Sequence, residues 1–347
     1  MVQHTPVALI FILWCKVSVT FGFGSDGHTI VANLAWDMLE VETKTWVEDL
    51  LDNSPVFYGV HLLGLSCPGC SPLGIVANWA DVVREGFLYS STASQHFINV
   101  QEDQLTGGCP VLDPEANFSE TECQLDYERD CEDGSCIVGA VLDYANTLAS
   151  PSRRSLLFFA DVQREALMFL VHLFADIHQP MHCSRLSDLG GNRISVSFLG
   201  DAGGIGSSLL CSIPVISLFF DCRSELDLHD VWDDNIVGTR INEDFNGSRE
   251  DCEAYLATKV EEAKSGDLYS EWMACSDATN QACAMEWANN SLEIGLKYAY
   301  RNTDGSEVVD GTALSQGYYE LARPILEELM LAAAVRLAAT LNANIIS

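Results

Sequence analysis

The segment HLFADIHQPMH at residues 172–182 contains three histidines and one aspartate within eleven positions. His172 and Asp176 are four residues apart, so on a helix their side chains project from the same face. Pro180 ends the helical pattern, and His182 follows where a turn can return it to the same space. An imidazole and a carboxylate so spaced can form a simple hydrogen-bonded pair or can share a divalent cation.

The same spacing recurs outside this segment. HDVWD contains His229 and Asp233, NWAD contributes Asp81 and QHFIN contributes His96. One His/Asp pair alone is more often a hydrogen-bonded pair than a metal site, and two pairs with His182 beside one of them leave both interpretations open. Imidazole and carboxylate ligands without a thiolate suit zinc or a similar divalent ion in a hydrolytic site.

The residues around these pairs resemble a known family, the zinc-dependent class I nucleases. The family includes secreted fungal single-strand nucleases, mung bean nuclease, plant bifunctional nucleases and trypanosomatid 3′-nucleotidase/nucleases. Besides residues 172–182, the matching segments are FGSDGH (23–28), NWADVVR (78–84), HFIN (96–99), CQLDYERDC (123–131), DLGGNRISV (188–196), LHDVWDDNI (228–236) and RLAATLN (336–342). They occur in the family's order and cover nearly the whole chain after residue 22.

The resemblance implies a mainly α single domain, similar to zinc phospholipase C, with three zinc ions at the base of a cleft. It implies one ion on Asp81, His96, His172 and Asp176, and a second on His182, His229 and Asp233. The third would be bound by His28, Asp176 and the amino nitrogen and carbonyl oxygen of the mature N-terminal residue, Phe23. The family has Trp at that position, but backbone ligand atoms can come from Phe.

The resemblance also implies the reaction, which is hydrolysis of single-stranded DNA and RNA to 5′-phosphorylated products, together with removal of 3′-phosphate from nucleotides. Asp81, Asp176 and Arg84 are the expected catalytic residues, and Arg84 matches a basic residue that contacts phosphate. A surface arginine is the alternative for Arg84. Phe97 matches an aromatic residue that stacks on a base, although by itself it would fit a core position. The family often has Asp where this chain has Asn99, which is therefore a second candidate for base contact.

The first residues and the cysteines indicate a secretory route. Val7 to Trp14 is a continuous apolar run, interrupted soon after by Lys16, so we predict a signal peptide over residues 1–22 and no transmembrane anchor. Residues 23–347 would then be the catalytic domain. Its twelve cysteines suggest disulfides. Sequons at Asn117, Asn246 and Asn289 predict glycosylation of a secreted protein.

The charge balance excludes one way of holding nucleic acid. Eighteen Lys and Arg stand against 50 Asp and Glu, for a net charge of −32. A protein that binds nucleic acid through a Lys/Arg groove does not have this composition. Metal ions would have to supply most of the positive charge that faces phosphate.

Hydrophobic spacing predicts helices over 28–51, 162–176, 286–300 and 318–341, and one strand over 193–198. Residues 101–136 are acidic and rich in cysteines and turn-forming residues, which indicates a disulfide-pinned loop region. The apolar C-terminal run 329–341 contains Arg336 and is predicted to be a packed helix.

Two regions depart from the family. Residues 204–225 form an apparent insertion, which could be a flap at the cleft rim or a hydrophobic hairpin closed by Cys211 and Cys222. Cys131 and Cys136 match a family disulfide loop. Cys123 resembles half of a long-range family bridge whose usual partner is missing, and we consider Cys275 or Cys283 as its replacement. Cys67 and Cys70 are expected to form a disulfide-bearing loop rather than a zinc site.

Three functions are compatible with these residues. The first is a secreted single-strand nuclease with 3′-nucleotidase activity, acting on nucleic acids and 3′-nucleotides and implying no stable protein partner. The second is a zinc phospholipase C-like hydrolase, suggested by the apolar insertion. The third is an inactive secreted binding protein on the same scaffold, which the complete set of side-chain ligands disfavours.

Overall fold

The computed structural model describes residues 23–52, 67–150, 157–200 and 226–346, and most of these residues are helical. In chain order the α-helices are α1 (Gly24–Asp37), α2 (Val41–Asp52), α3 (Pro72–Val76), α4 (Trp79–Arg84), α5 (Tyr127–Asp130), α6 (Ile137–Ala149), α7 (Leu157–His178), α8 (Leu228–Asp230), α9 (Ile236–Asp244), α10 (Arg249–Ala263), α11 (Asp267–Ala274), α12 (Gln281–Ile294) and α13 (Gln316–Ile346). Short 3₁₀ helices span Ser90–His96 and Pro180–His182, and π-helical turns span Val231–Asn235 and Gly295–Ala299.

Helix α7 forms the core of the fold. Residues 166 to 179 are all buried, so this stretch is covered on every side and is not amphipathic. Helices α1, α6, α12 and α13 pack against it. Any polar side chain on this part of α7 is therefore removed from bulk water and must find its partner inside the protein.

Two small sheets complete the fold. Strand β1 (Ile98–Val100) pairs in parallel with β2 (Cys183–Arg185), with Ile98 opposite Cys183. Strand β3 (Ser195–Phe198) lies between β4 (Leu226–Asp227), which is antiparallel, and β5 (Thr312–Leu314), which is parallel. The first pair is short, but it sets the segment after His96 beside the segment after His182.

The mainly α single-domain architecture is confirmed, with two differences in the helices. The helix predicted over 28–51 is two helices, α1 and α2, separated near Met38. Asn342 of α13 accepts a hydrogen bond from Glu40 N and donates one to Met38 O, which fixes this turn. The helix predicted over 286–300 begins earlier, at Gln281, and ends in the π-helical turn Gly295–Ala299.

The disulfides correct one prediction. Cys123 pairs with Cys109, and Cys275 pairs with Cys283, so neither Cys275 nor Cys283 replaces the missing long-range partner. Both disulfides instead join cysteines that are close in sequence, 14 and 8 residues apart. Disulfides also join Cys67 to Cys70 and Cys131 to Cys136. Two further cysteines of the described chain, Cys183 and Cys252, are buried free thiols.

Two sequence predictions concern segments outside the described residues. They are the signal peptide predicted over residues 1–22 and the insertion at 204–225, with its predicted Cys211–Cys222 hairpin. Within the described ranges, none of the helices combines the length and apolar character needed to cross a membrane. The C-terminal run 329–341 is part of α13 and is mostly buried.

Candidate metal centre

Helix α7 places His172 and Asp176 side by side in the interior. Both side chains are fully buried, and His172 Nε2 lies 3.1 Å from Asp176 Oδ2. His172 Nδ1 donates to the carbonyl of Ala77 at 2.8 Å. A carbonyl only accepts, so this contact places a ring proton on Nδ1. Nε2 therefore faces the carboxylates, where it can hold a second proton or bind a metal ion.

Asp81 and His96 reach the same point from two other elements. Asp81, on α4, has Oδ1 at 3.4 Å from His172 Nε2. His96, at the end of the 3₁₀ helix Ser90–His96, has Nδ1 at 2.9 Å from Asp176 Oδ2 and 3.6 Å from Asp81 Oδ1. Two carboxylates and two imidazoles thus converge, which is the grouping that the family resemblance implies.

His28 of α1 approaches the other oxygen of the same carboxylate. Its ring stacks on that of His172 with centroids 3.9 Å apart, and its Nε2 lies 3.3 Å from Asp176 Oδ1. Asp176 therefore has His28 on one oxygen and His172 on the other. Phe23 begins the same helix, is fully buried and accepts a hydrogen bond from Gly27 N through its carbonyl.

His182, His229 and Asp233 form a separate group close by. His229 Nε2 lies 3.1 Å from Asp233 Oδ2, and His182 Nε2 lies 3.6 Å from Asp233 Oδ1. His182 Nδ1 is also 3.7 Å from Asp176 Oδ1, so the two groups adjoin at that carboxylate. Among the described residues, three sets have ligand atoms close enough to hold one ion each, namely His28/Asp81/His172, His96/His172/Asp176 and His182/His229/Asp233.

The second group contains two nitrogen lone pairs that face each other. His182 Nδ1 donates to His96 O at 2.6 Å, and His229 Nδ1 donates to Gly190 O at 2.6 Å. Each neutral ring therefore has its lone pair on Nε2, and these two Nε2 atoms are only 3.2 Å apart. Lone pairs this close repel unless a proton or a cation lies between them. A divalent ion satisfies both rings without protonating either.

Several buried atoms of the two groups form no hydrogen bond. They are both ring nitrogens of His28, both carboxylate oxygens of Asp81, His96 Nε2, Asp176 Oδ1 and Asp233 Oδ2. Buried carboxylate oxygens are costly unless a cation or a donor reaches them. Atoms left open in this way, with imidazole and carboxylate as the donor types, fit metal ions of the zinc class.

The pKa values show how strongly the site demands positive charge. Burial disfavours an imidazolium at His172, but the carboxylates of Asp176 and Asp81 outweigh it and raise the pKa of His172 to about 10. Burial likewise opposes charge at His229, where Asp233 raises the pKa to about 9. Burial dominates at His96 and lowers its pKa to about 4. The carboxylates remain ionised, because the facing imidazoles hold the pKa values of Asp176 and Asp233 below their usual range despite burial.

Arg84 lies at the edge of the first group. Its Nη2 is 3.3 Å from Asp81 Oδ1, and only 8% of its side chain is exposed, so it is not a freely solvated surface arginine. Phe97 follows His96 and is 42% exposed, which excludes a core position. Asn99 follows on β1, and its buried Oδ1 forms no hydrogen bond. Phe97 thus lies directly before β1 and Asn99 lies on it, both within three residues of His96.

The predicted glycosylation residues have different surroundings. Asn117 and Asn246 are exposed, and Asn117 caps a short 3₁₀ turn. Asn289 is half-buried within α12, where its Oδ1 accepts from Leu125 N and its Nδ2 donates to Met285 O. Its amide is therefore used to hold a neighbouring loop.

Two supporting residues were missed by sequence reasoning. Gln179 donates through Nε2 to Asp233 Oδ1 and accepts from Met181 N, so it joins the two halves of the site. Asp188 accepts from Gly191 N at 2.8 Å, next to the carbonyl that receives the His229 proton. Both lie in segments that carry the family resemblance, HQP and DLGGN. The sequence alone does not predict which hydrogen bonds their side chains form.

A mainly α scaffold with buried, adjoining His/Asp groups is the arrangement of a metal-dependent hydrolase of phosphate esters. Residues 23–345 match the family model described as S1/P1 Nuclease. The chain belongs to the S1/P1 nuclease family, enzymes that hydrolyse the phosphodiester bonds of nucleic acids.

Nucleases from a plant and from two fungi match this chain along most of their length. Endonuclease 3 of Arabidopsis thaliana is 28% identical over 336 residues, which are 97% of this chain and 93% of the relative. Nuclease S1 of Aspergillus oryzae is 27% identical over 331 residues, with 93% and 92% covered. Nuclease P1 of Penicillium citrinum is 25% identical over 273 residues, or 78% of each chain.

Proposed function

We propose that this protein is a secreted zinc-dependent endonuclease. It hydrolyses single-stranded DNA and RNA to 5′-phosphorylated products and removes the 3′-phosphate from nucleotides. The observation that supports the proposal most strongly is the pair of facing His182 and His229 lone pairs beside the buried His172/Asp176 group, on a scaffold of the nuclease family. Nucleic acid hydrolysis follows from the family, whereas strand preference, nucleotidase activity and secretion are parts of the proposal.

Three zinc ions are the proposed cofactors. Asp81, His96, His172 and Asp176 would hold the first, and His182, His229 and Asp233 the second. His28, Asp176 and the backbone of Phe23 would hold the third. When bound, zinc lowers the pKa of a water ligand and neutralises charge on phosphate, which are the two requirements for phosphodiester hydrolysis.

The protein's own residues orient these ligands and the substrate. Backbone carbonyls of Ala77, His96 and Gly190 fix the tautomers of three histidines, so their Nε2 atoms remain available. Arg84 contacts Asp81 and lies where its guanidinium can bind a phosphate oxygen of the substrate.

Substrate selection is proposed to lie on β1. Phe97 offers an exposed aromatic face, and stacking on it requires an unpaired base, which accounts for a preference for single strands. Asn99 has a buried carbonyl oxygen without a donor, so it can accept from a base amino group. An amide replaces the family's frequent carboxylate here, which removes one negative charge from the base site.

Secretion and processing belong to the same proposal. Residues 1–22 would be removed as a signal peptide, and the four disulfides of the described chain suit an oxidising compartment. Cleavage after Gly22 would free the amine of Phe23 to bind metal. Asn117 and Asn246, both exposed, are the more accessible of the proposed glycosylation sites.

The test is an activity assay on the purified mature protein with a matched pair of variants. Single-stranded DNA, the same sequence as duplex, RNA, 3′-AMP and phosphatidylcholine are each incubated with the protein, with chelator, and with zinc restored. We expect hydrolysis of the first, third and fourth substrates, loss with chelator and recovery with zinc. Asp81→Asn should reduce the rate by about 10³-fold, since it removes a metal ligand worth several kcal/mol. Asp103→Asn, an exposed aspartate, is the control. Hydrolysis of phosphatidylcholine alone, or activity unaffected by chelator, would refute the proposal.

A further inference from the structure

The peptide unit between Gly190 and Gly191 joins the metal centre to a buried carboxylate. We propose that Asp188 is a positioning residue that acts through this peptide on the ion held by His182, His229 and Asp233. The inference rests on the proposed metal assignment. The link is visible in the hydrogen bonds of the Gly190–Gly191 peptide.

The two ends of one peptide plane form the link. Its carbonyl, from Gly190, accepts the Nδ1 proton of His229 at 2.6 Å. Its N–H, from Gly191, donates to Asp188 Oδ1 at 2.8 Å. A carboxylate charge at the N–H end polarises the amide and strengthens its carbonyl as an acceptor. His229 is thereby held in one tautomer and one ring orientation by a negative charge that it does not touch.

Asp188 is itself held firmly. Tyr300 OH donates to Asp188 Oδ1 at 2.8 Å, and Arg185 Nε donates to Oδ2 at 2.9 Å. The Arg185 guanidinium also lies over the Tyr300 ring, 3.7 Å from its centroid. Ser184 Oγ completes the network at 2.7 Å from Tyr300 Oη. Each oxygen of the carboxylate therefore has a donor of fixed position, which a residue with only a loop-closing role would not need.

The backbone leaves little room for another arrangement. Gly190 and Gly191 have φ values of 61° and 83°, which favour glycine. A Cβ on Gly190 would lie 2.2 Å from Met181 O, and one on Gly191 would lie 2.7 Å from Met181 Cε. This close packing against Met181, next to His182, keeps the peptide plane in place for its hydrogen bond to His229.

Removal of outer partners of metal-binding histidines typically weakens metal binding by about 10- to 100-fold. We call this link, from Asp188 through the Gly190–Gly191 peptide to His229, the relay. It predicts that the loss is confined to one of the three ions, because the side-chain partners of Asp188 are Arg185, Gly191 and Tyr300 and none belongs to the Asp81/His96/His172/Asp176 group. It also predicts that the effect depends on charge, since an amide at position 188 keeps the shape of the side chain and loses the polarisation.

The experiment is a zinc titration of metal-free mature protein against a competing chromophoric chelator, without substrate. Asp188→Asn is expected to bind two ions as the wild type does and the remaining ion about 10- to 100-fold more weakly. In the zinc-loaded protein, with ¹⁵N-labelled histidine, the His229 Nδ1 proton resonance should move upfield while that of His172 stays. Tyr300→Phe, which removes one donor and keeps the charge, should shift both readouts in the same direction by less.

Glu307→Gln is the matched control. Glu307 accepts from Arg185 Nη1 at 2.7 Å, so the variant removes a carboxylate from the same arginine without touching Asp188. It should leave zinc affinity and the His229 resonance unchanged. Equal weakening of all three ions in Asp188→Asn would indicate loop collapse and overturn the relay, as would unchanged affinity. If Asp188→Asn does not fold, Tyr300→Phe decides by the same readouts. A wild-type protein that does not bind three ions would instead refute the metal assignment itself.

Discussion

The three histidines of HLFADIHQPMH do not share one role. His172 and His182 belong to the metal groups, whereas His178 donates through Nδ1 to Phe174 O and accepts from Arg336 at 2.8 Å. Helix geometry explains the difference, because two residues beyond Asp176 correspond to about 200° of rotation, and His178 points away from the site. Spacing places His172 and Asp176 on one helix face, but the assignment of ligands came from the family resemblance. The buried arginine that partners His178 comes from a helix more than 150 residues later and could not be foreseen.

Zinc binding should release protons at neutral pH. The pKa values of His172 and His229, about 10 and about 9, exceed the ordinary 6.5, so both rings are charged at pH 7 in the metal-free protein. Their contribution to metal-free stability is full below pH 6.5 and is lost as the pH rises through 9 to 10, while apparent zinc affinity increases over the same range. Calorimetric titrations at pH 7 in buffers of different ionisation enthalpy should give about two protons released per chain. A value of zero would show that neither ring is charged before binding.

We expect Phe97 to affect the binding of single-stranded DNA more than the chemical step. Stacking on an aromatic ring is worth about 1–3 kcal/mol per base, so Phe97→Ala should raise KM for single-stranded DNA by roughly 5- to 150-fold. The value of kcat should change much less, because Phe97 contributes no metal ligand. Phe87→Ala removes an aromatic ring that is 95% exposed and serves as the control, with KM unchanged. Equal KM values for wild type and Phe97→Ala would remove Phe97 from the base site.

At the scale of elements, sequence periodicity predicted the long helices but not the contacts that align them. The apolar pattern predicted α7 and α13, since both contain long buried runs of apolar residues. It could not find β1 and β2, because strands of three residues have too few positions to show alternation and their partners are distant in sequence. Yet this pair brings His96 and His182 together, with the His182 ring donating to His96 O. Part of the site geometry is therefore set by two short strands that no local sequence pattern predicts.

The Gly190 turn should tolerate no side chain. Gly190→Ala forces alanine to φ near 61°, at about 1–2 kcal/mol, and also places Cβ 2.2 Å from Met181 O. Gly200→Ala has the same kind of strain, with φ 87°, but nothing within 4 Å of the new Cβ. Urea denaturation of the metal-free proteins should show about 1–2 kcal/mol lost for Gly200→Ala and a larger loss for Gly190→Ala. Equal losses would mean that the Met181 carbonyl moves aside freely.

On the scale of the whole molecule, the negative net charge opposes the binding of a polyanionic substrate. A chain with a net charge of −32 repels a polyanion at long range. We therefore expect binding to depend on short-range positive charge at the proposed metal ions and Arg84. Moderate salt should then screen the repulsion more than it weakens binding. KM for a single-stranded oligonucleotide should fall, or stay level, between about 10 and 100 mM NaCl. Proteins that bind through basic grooves show the opposite, a steep rise, and such a rise here would indicate an undetected cationic surface.

Processing should determine how many ions the molecule holds. The third ion is proposed to use the amine of Phe23, and in an unprocessed chain that nitrogen is an amide with no lone pair to donate. Protein beginning at Phe23 should therefore contain three zinc ions per chain, and protein extended by one alanine before Phe23 should contain two after the same dialysis, by elemental analysis. The ions on His182/His229/Asp233 and on the Asp81 group do not involve the terminus, so the extended form should keep its fold and its near-ultraviolet circular dichroism. Three ions in both forms would show that the third site needs no free terminus, and fewer than three in the form that starts at Phe23 would refute the three-ion assignment.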